Sequence, residues 1–387
     1  MSLAGGLAVL LSFITVWLMA GGDRRRLGFF ALLAAMHLAA SGAFWLISLS
    51  GPADAVAYYR RAEISGAFGI GTQFILFLTH NIRSLTGASF LDCFLFFQIP
   101  GLIGILLLYK TAAALTEEQF GTRVMLLSLA LFLPGLQFWT AAIGKDALAV
   151  CAYGLISCGL ARQRFDWLLL GAGVLLYFLV RPHVGFVVLL AMGIAFLPIF
   201  GASKPAAKLI GAGSALMVVL LLPFVIGFIG LDSAGVEDLN AYIEQRQGVN
   251  QAGSTSLDLA GQSPPMRVVT FLYRPFFFDA PGLLGLVVSV ENLALLILTL
   301  LLIGNLPILL RLLRLSEVLR FHAVFAVIMV LILSQTLANL GLAIRQKMMI
   351  VPALILLMVA VVAVLNRRRA DRLEALAQRS APRVPAE

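Results

Sequence analysis

The feature that most constrains this chain is its near-continuous series of apolar runs, each about as long as a bilayer is thick, separated by short links carrying charge, glycine or proline. A spanning helix needs roughly 20 apolar residues. Unpaired backbone amides are too costly in hydrocarbon for such runs to stay irregular, so they predict helices. The pattern predicts an all-α, polytopic membrane protein with about eleven spans by the bilayer-length criterion. They fall near 3–21, 27–49, 88–109, 124–140, 147–161, 167–180, 184–200, 209–231, 283–306, 321–340 and 348–365. The run 64–79, ISGAFGIGTQFILFLT, is short and loosened by Gly66, Gly69 and Gly71, and reads as a re-entrant or interfacial helix.

Composition agrees. Hydrophobic residues make up 61% of the 387 and charged ones only 12%, against roughly 25% charged in a soluble domain. That excludes soluble enzymes, nucleic-acid binders and disordered chains. Cys93, Cys151 and Cys158 lie in apolar runs, with no disulfide or metal-ligand spacing.

The net charge of +9 is first a topology signal, because basic residues concentrate in cytoplasmic loops. Asp23-Arg24-Arg25-Arg26 follows the first run and no Lys or Arg precedes it, so that run reads as a span with its N-terminus outside rather than a signal peptide. Alternation then predicts a cytoplasmic C-terminus and places about 18 of the 28 Lys and Arg inside, including Lys110, Arg162, Arg311, Arg314, Arg320 and the tail from Arg367. The organisation expected is a transmembrane domain over 1–366, with outer loops at 50–87 and 232–281, and a basic cytoplasmic tail over 367–387 made of a short helix followed by disorder. Helical character is expected over Val236 to Gln247 and flexibility over 248–256.

The remaining polar residues gather at the predicted outer ends of helices. In GPADAVAYYRRAEIS, Asp54 shares a helical face with Tyr58, followed by Tyr59, Arg60 and Arg61. This is either an interfacial aromatic belt with snorkelling arginines or a carboxylate base in an outward cavity. Lys145 and Asp146 precede a span too short to hold them clear of hydrocarbon, where charges must pair or face water. Arg181-Pro182-His183 joins two short spans with almost no loop. An isolated histidine is usually structural, but one beside an arginine at a cavity mouth could bind phosphate or move protons. In RVVTFLYRPFFFDAP, Arg267 and Arg274 are seven apart, with Tyr273 and Asp279 beside them. The segment reads as an amphipathic return to the bilayer or as a lid over a lipid-linked substrate. Arg345 and Lys347 stand at the outer end of the last span.

These outer basic residues oppose the positive-inside bias, and an anionic ligand is the simplest reason, arginine being suited to phosphate. No nucleotide-binding loop, dinucleotide fingerprint, HExxH or GxSxG occurs. An activated substrate would therefore arrive already attached to a lipid.

FWTAAIGKDAL (138–148), Arg181-Pro182, YRPFFFD (273–279) and RQKMMIVP (345–352) resemble segments of polytopic bacterial envelope glycosyltransferases that use polyprenyl-linked donors. Two branches are similar: the Wzy-type O-antigen or exopolysaccharide polymerases, and the GT-C superfamily, whose first outer loop often carries a catalytic aspartate. The resemblance implies a helical bundle with an outward cavity in the bacterial inner membrane, its active site facing the periplasm or exterior. It implies Asp54 or Asp146 as base, with Lys145 beside them. Tyr58, Tyr59, Arg60, Arg181, His183, Arg267, Tyr273, Arg274, Asp279, Arg345 and Lys347 would bind phosphate and sugar. The implied partners are a polyprenyl-(di)phosphate-linked glycan, membrane lipid, an acceptor glycan and envelope-assembly proteins, with no nucleic acid. Some GT-C members use a divalent metal, but the first outer loop has no paired-acid metal motif, so no cofactor is expected. The competing expectation is a transporter or flippase of a lipid-linked or anionic substrate.

Overall fold

The computed structural model describes residues 2–51, 53–116, 128–197, 205–230, 242–248, 262–280, 282–336 and 339–380, with side chains to 374. The described part is helical, without a β-strand. In chain order its main helices are α1 (Leu3–Ala20), α2 (Arg24–Ser50), α3 (Asp54–Ile64), α4 (Thr72–Thr86), α5 (Phe90–Leu115), α6 (Pro134–Thr140), α7 (Lys145–Ala161), α8 (Trp167–Val180), α9 (Pro182–Ala195), α10 (Pro205–Ile229), α11 (Pro264–Tyr273), α12 (Gly282–Gly304), α13 (Leu306–Leu315), α14 (Glu317–Gln335), α15 (Leu340–Lys347) and α16 (Val351–Ser380).

Among the described residues seven helices are long and apolar enough to cross a membrane: α1, α2, α5, α10, α12, α14 and the first part of α16. The chain is a multi-pass membrane protein. The sequence pattern predicts about eleven spans, and the difference has a local cause. Runs 167–180 and 184–200 give α8 and α9, of 14 residues each, or about 21 Å of helix. The run 124–140 is broken. A 3₁₀ turn over Leu129–Phe132 ends at Leu133, and Pro134 starts a helix of only 7 residues, because proline cannot continue a preceding helix but suits a first turn. This short α6 meets α7 at a bend of 110°, and the two together would make an eighth crossing.

Other boundaries shift as well. The expected helix over 64–79 begins only at Thr72 and runs to Thr86, because Gly71 sits at φ 68° and ends the irregular stretch 65–71. No break occurs at 366, since α16 continues through the basic segment to Ser380. The expected helix 236–247 is described only over 242–248, which is helical. The flexible stretch after Gly248 and the residues from 381 on lie outside the described part.

Local signals set the breaks. Ser2, Asp23, Asp166 and Ser316 accept amide protons at the starts of α1, α2, α8 and α14. Ser89 and Asp92 form a reciprocal capping box on α5. The buried share of the spans separates a centre from a periphery: 72% for α5 but 22% for α10. Helices α5 and α7 are the most closely packed pair. A Cβ on Gly104 would stand 2.5 Å from the Val150 carbonyl, and one on Gly154 would stand 2.6 Å from the Gly104 carbonyl. Small residues at the crossing let the backbones touch, which substitutes for hydrophobic drive inside lipid.

Gly135, Leu136, Gln137 and Thr140 of α6 are buried in the bundle. Gln137 Oε1 accepts from His37 Nδ1, halfway along α2, at 2.7 Å, and Thr140 crosses α5 at Gly101. Gly135, in the first turn of α6, is buried, and its amide has no partner within the helix. Glu291 of α12 supplies the acceptor, with Gly135 N–H donating to its carboxylate at 3.0 and 3.2 Å. An acid within a span is thus explained as the cap of a buried half-helix.

Candidate functional site

The C-terminal ends of α2, α8 and α14 and the N-terminal ends of α7, α9, α12 and α16 meet at one end of the bundle. Here four charged residues from four elements converge. Arg345 of α15 donates through Nε to Asp146 at 2.6 Å and through Nη1 to Asp54. Arg181 donates through Nη2 to the other Asp146 oxygen at 2.5 Å. The result is an alternating row, Asp54–Arg345–Asp146–Arg181.

Each member is placed by local structure. Asp54 opens α3, where a carboxylate suits the helix N-terminus. Asp146 lies in the first turn of α7, directly after the bend from α6. Arg181 sits between α8 and α9, its backbone N–H closing the last turn of α8 on Tyr177 O at 2.6 Å while Pro182 starts the next helix. Arg345 is presented by α15, whose start is fixed by the Asn339 side chain accepting from Gly341 and Leu342.

The row is graded in exposure. The Asp146 side chain is 7% exposed, Arg181 12%, Arg345 19% and Asp54 59%. Burial opposes the Arg345 charge, but Asp146 and Asp54 outweigh it and hold its pKa above the ordinary value. Tyr58, one turn after Asp54 and buried, has its hydroxyl pKa raised by burial and further by Asp54. Lys145 stands within electrostatic reach of Arg181, Arg345, Asp146 and Asp54.

Two neighbouring cavities lie here, one of them against the row. One of about 530 Å³ is lined by Asp54, Asp146, Arg345, Gly144 and Asn339 on its polar side and by Phe44, Phe138 and Trp139 on the other. Phe44 and Phe138 stack at 4.4 Å, and the Arg345 guanidinium lies 5.6 Å from the centre of Trp139. The second, of about 600 Å³, is an almost wholly apolar groove between α2, α6 and α12, with Glu291 and Gln137 on its wall. Ile47, Phe138 and Trp139 line both, so a polar chamber and an apolar groove share a wall.

Of the residues singled out from sequence, Asp54, Tyr58, Lys145, Asp146, Arg181 and Arg345 come together. The others do not join them. Tyr59 turns to a separate pocket, under the Arg83 guanidinium at 4.0 Å, where Arg83 also pairs with Glu63 at 2.6 Å. Arg60 is exposed. His183 is exposed too, and stands within electrostatic reach of Arg181 and Lys145 but bonds to neither. Arg267 bonds the Gln262 carbonyl at 3.2 Å, and Tyr273 packs against the main core. Arg274 and Asp279 pair with each other at 2.5 Å and close the turn after α11. Lys347 is buried and donates to Leu272 O and Arg274 O, each at 3.2 Å, and to Asn292 Oδ1 at 2.6 Å. Its ammonium is consumed in stapling α11 to α12. Burial lowers its pKa to about 7, with Glu291 opposing the shift.

Sequence reasoning passed over Asn339, Phe44 and Arg83, which have no local charge pattern to mark them. It also passed over two buried pairs, His37 with Gln137 and Tyr153 with His322, each at 2.7 Å. Among the described residues no three His, Cys, Asp or Glu side chains stand close enough to hold a metal ion. No family model matches the chain, and no curated protein and no solved structure matches it.

Proposed function

We propose that the chain is an integral-membrane glycosyltransferase that takes sugar units from a polyprenyl-(di)phosphate-linked donor on the extracytoplasmic side, in the synthesis of an envelope polysaccharide. The observation that carries this reading is the shared wall between the charged chamber and the apolar groove. A substrate with a long apolar chain, an anionic phosphate and a polar sugar has use for both at once. The charge distribution, with Arg162 and Arg26 both within electrostatic reach of Lys110 at the opposite end, supports an orientation with the chamber facing out.

The roles follow from exposure and pairing. Asp54 is the most accessible acid and takes the proton from an acceptor hydroxyl. The acceptor oxygen then bonds to the anomeric carbon as the bond from that carbon to the phosphate oxygen breaks, and the lipid (di)phosphate departs with the electron pair. One base plus leaving-group stabilisation is sufficient for such an inverting displacement. Arg345 and Arg181 stabilise the departing charge. Arg345 has spent Nε and Nη1 on carboxylates, and its Nη2 stands beside Gly144 on the chamber wall. Asp146, paired on both oxygens, is a positioning residue that fixes the two arginines. Trp139, Phe44 and Phe138 offer ring faces to a sugar.

The second reading, a carrier or flippase for the same class of substrate, draws on the broken pair α6–α7, since interrupted helices inside a bundle are a common way to build a transport site. Reconstitution in liposomes with a polyprenyl-diphosphate oligosaccharide separates the two. Chain growth or sugar transfer, lost in Asp54→Asn, is the expected result. Movement of the lipid across the bilayer without new glycosidic bonds would overturn the transferase reading in favour of the carrier.

A further inference from the structure

At the end of the bundle opposite the chamber, α13 joins two spans, α12 and α14, so it lies at a membrane face. One side of α13 is taken up by the bundle. Ile308, Leu309, Leu312 and Leu313 pack into a cluster with Leu319 of α14 and with Leu357, Val361 and Leu365 of α16. The helix is also held at its end, because the Arg320 guanidinium donates to Leu313 O at 2.8 Å, to Arg314 O at 3.0 Å and to Ala195 O of α9 at 2.8 Å. Arginine on the last carbonyls satisfies a helix C-terminus that would otherwise be left bare.

The other side of α13 has no use within the fold. Arg311 and Arg314 are three apart and share a face. Both are exposed, and neither pairs with a carboxylate among the described residues. Leu306, Leu310 and Leu315 flank them at 44%, 46% and 71% exposure. Leu365 packs in the same cluster as Leu312 and Leu313, and the exposed Arg367, Arg368 and Arg369 follow directly on α16. Basic groups from two elements therefore reach one rim, with leucines beside them.

We propose that this face of α13 is a binding site for the head group of an anionic phospholipid. Arg311 and Arg314 hold the phosphate, Arg367 to Arg369 add to the local potential, and the acyl chains lie along Leu306 and Leu310. A basic amphipathic helix lying in the interface is the arrangement that takes anionic lipid. A soluble anion would have no use for the leucines, and the site is separate from the chamber and independent of what the chamber does.

The test is native mass spectrometry of the full chain released from mixed vesicles of equal phosphatidylglycerol and phosphatidylcholine. The expected result is preferential retention of phosphatidylglycerol by the wild type, falling about fivefold per arginine removed in Arg311→Gln and Arg314→Gln, with Arg60→Gln/Arg61→Gln at the other end unchanged. Arg311→Lys/Arg314→Lys should keep most of the preference. Equal retention in the glutamine variants would overturn the proposal. So would displacement of the lipid by millimolar inorganic phosphate, which would mark a site for a soluble anion. If the glutamine variants lose their thermal transition, the wild type in rising salt decides instead, since a preference that survives 0.5 M NaCl is not electrostatic.

Discussion

Arg345 and Lys347 stand two positions apart on the same short helix and come to opposite uses. The Arg345 guanidinium meets two carboxylates on the wall of a chamber, at 19% exposure. The Lys347 ammonium, 1% exposed, bonds to backbone and amide carbonyls. Residues two apart on a helix point some 200° from one another, so α15 reaches the chamber with one cation and closes the fold with the other. A charge that meets charge at a cavity can exchange partners with a ligand. A charge that meets carbonyls in a closed site cannot do so without opening the structure.

The contrast can be broken most severely at Asp146. Asp146→Ala leaves Arg181 and Arg345 facing each other nearly buried, and should cost about 3–5 kcal/mol, read as a large fall in melting temperature together with loss of transfer. Asp54→Asn separates the two properties. Its side chain is more than half exposed, so stability should change by less than about 1 kcal/mol, while transfer per folded molecule falls about 10²–10⁴-fold. Lys347→Met gives the reverse pattern. It strands carbonyl acceptors worth about 1–3 kcal/mol each when left unmade, yet the turnover of the molecules that remain folded should match wild type. A Lys347→Met protein of full stability and no activity would move Lys347 into the site.

The pH response sharpens the same comparison. The Lys347 pKa lies near 7 in the folded protein, below its ordinary value of 10.5. Between these values the unfolded chain holds a proton that the folded chain lacks, so stability rises with pH. Melting temperature should climb from pH 7 to pH 9 in wild type by more than in Lys347→Met. The smallest effect is expected at Arg60→Gln/Arg61→Gln, whose exposed side chains should leave both melting and transfer unchanged.

Much of the site was legible because charge in an apolar chain is conspicuous. Asp54 with Tyr58, Lys145 with Asp146, and Arg181 all adjoin spans where an unpaired charge is expensive; Asp54, Asp146 and Arg181 form the row with Arg345, and Tyr58 and Lys145 stand beside it. The same signal marks Arg274, Asp279 and Lys347, which the fold leaves out of the row. Their charges are equally conspicuous, but they are spent on a turn and on carbonyls. Spacing along a chain reports neighbours one turn away. It does not report which of several buried cations reaches an acid 199 positions distant, as Arg345 reaches Asp146.

Apolar run length by itself determined the class of the protein, because hydrocarbon admits only helices whose backbone bonds are internal. Positions of proline and capping residues set most helix starts for an equally local reason. The fate of the run 124–140 was decided in three dimensions. Its residues are apolar enough to span, but α6 meets α7 at 110° and packs where Glu291 and His37 supply polar partners to Gly135 and Gln137. That turn puts Phe138 and Trp139 between chamber and groove. Their common wall exists only once α2, α6 and α12 have packed, since no local sequence preference brings residues 47, 138 and 291 together.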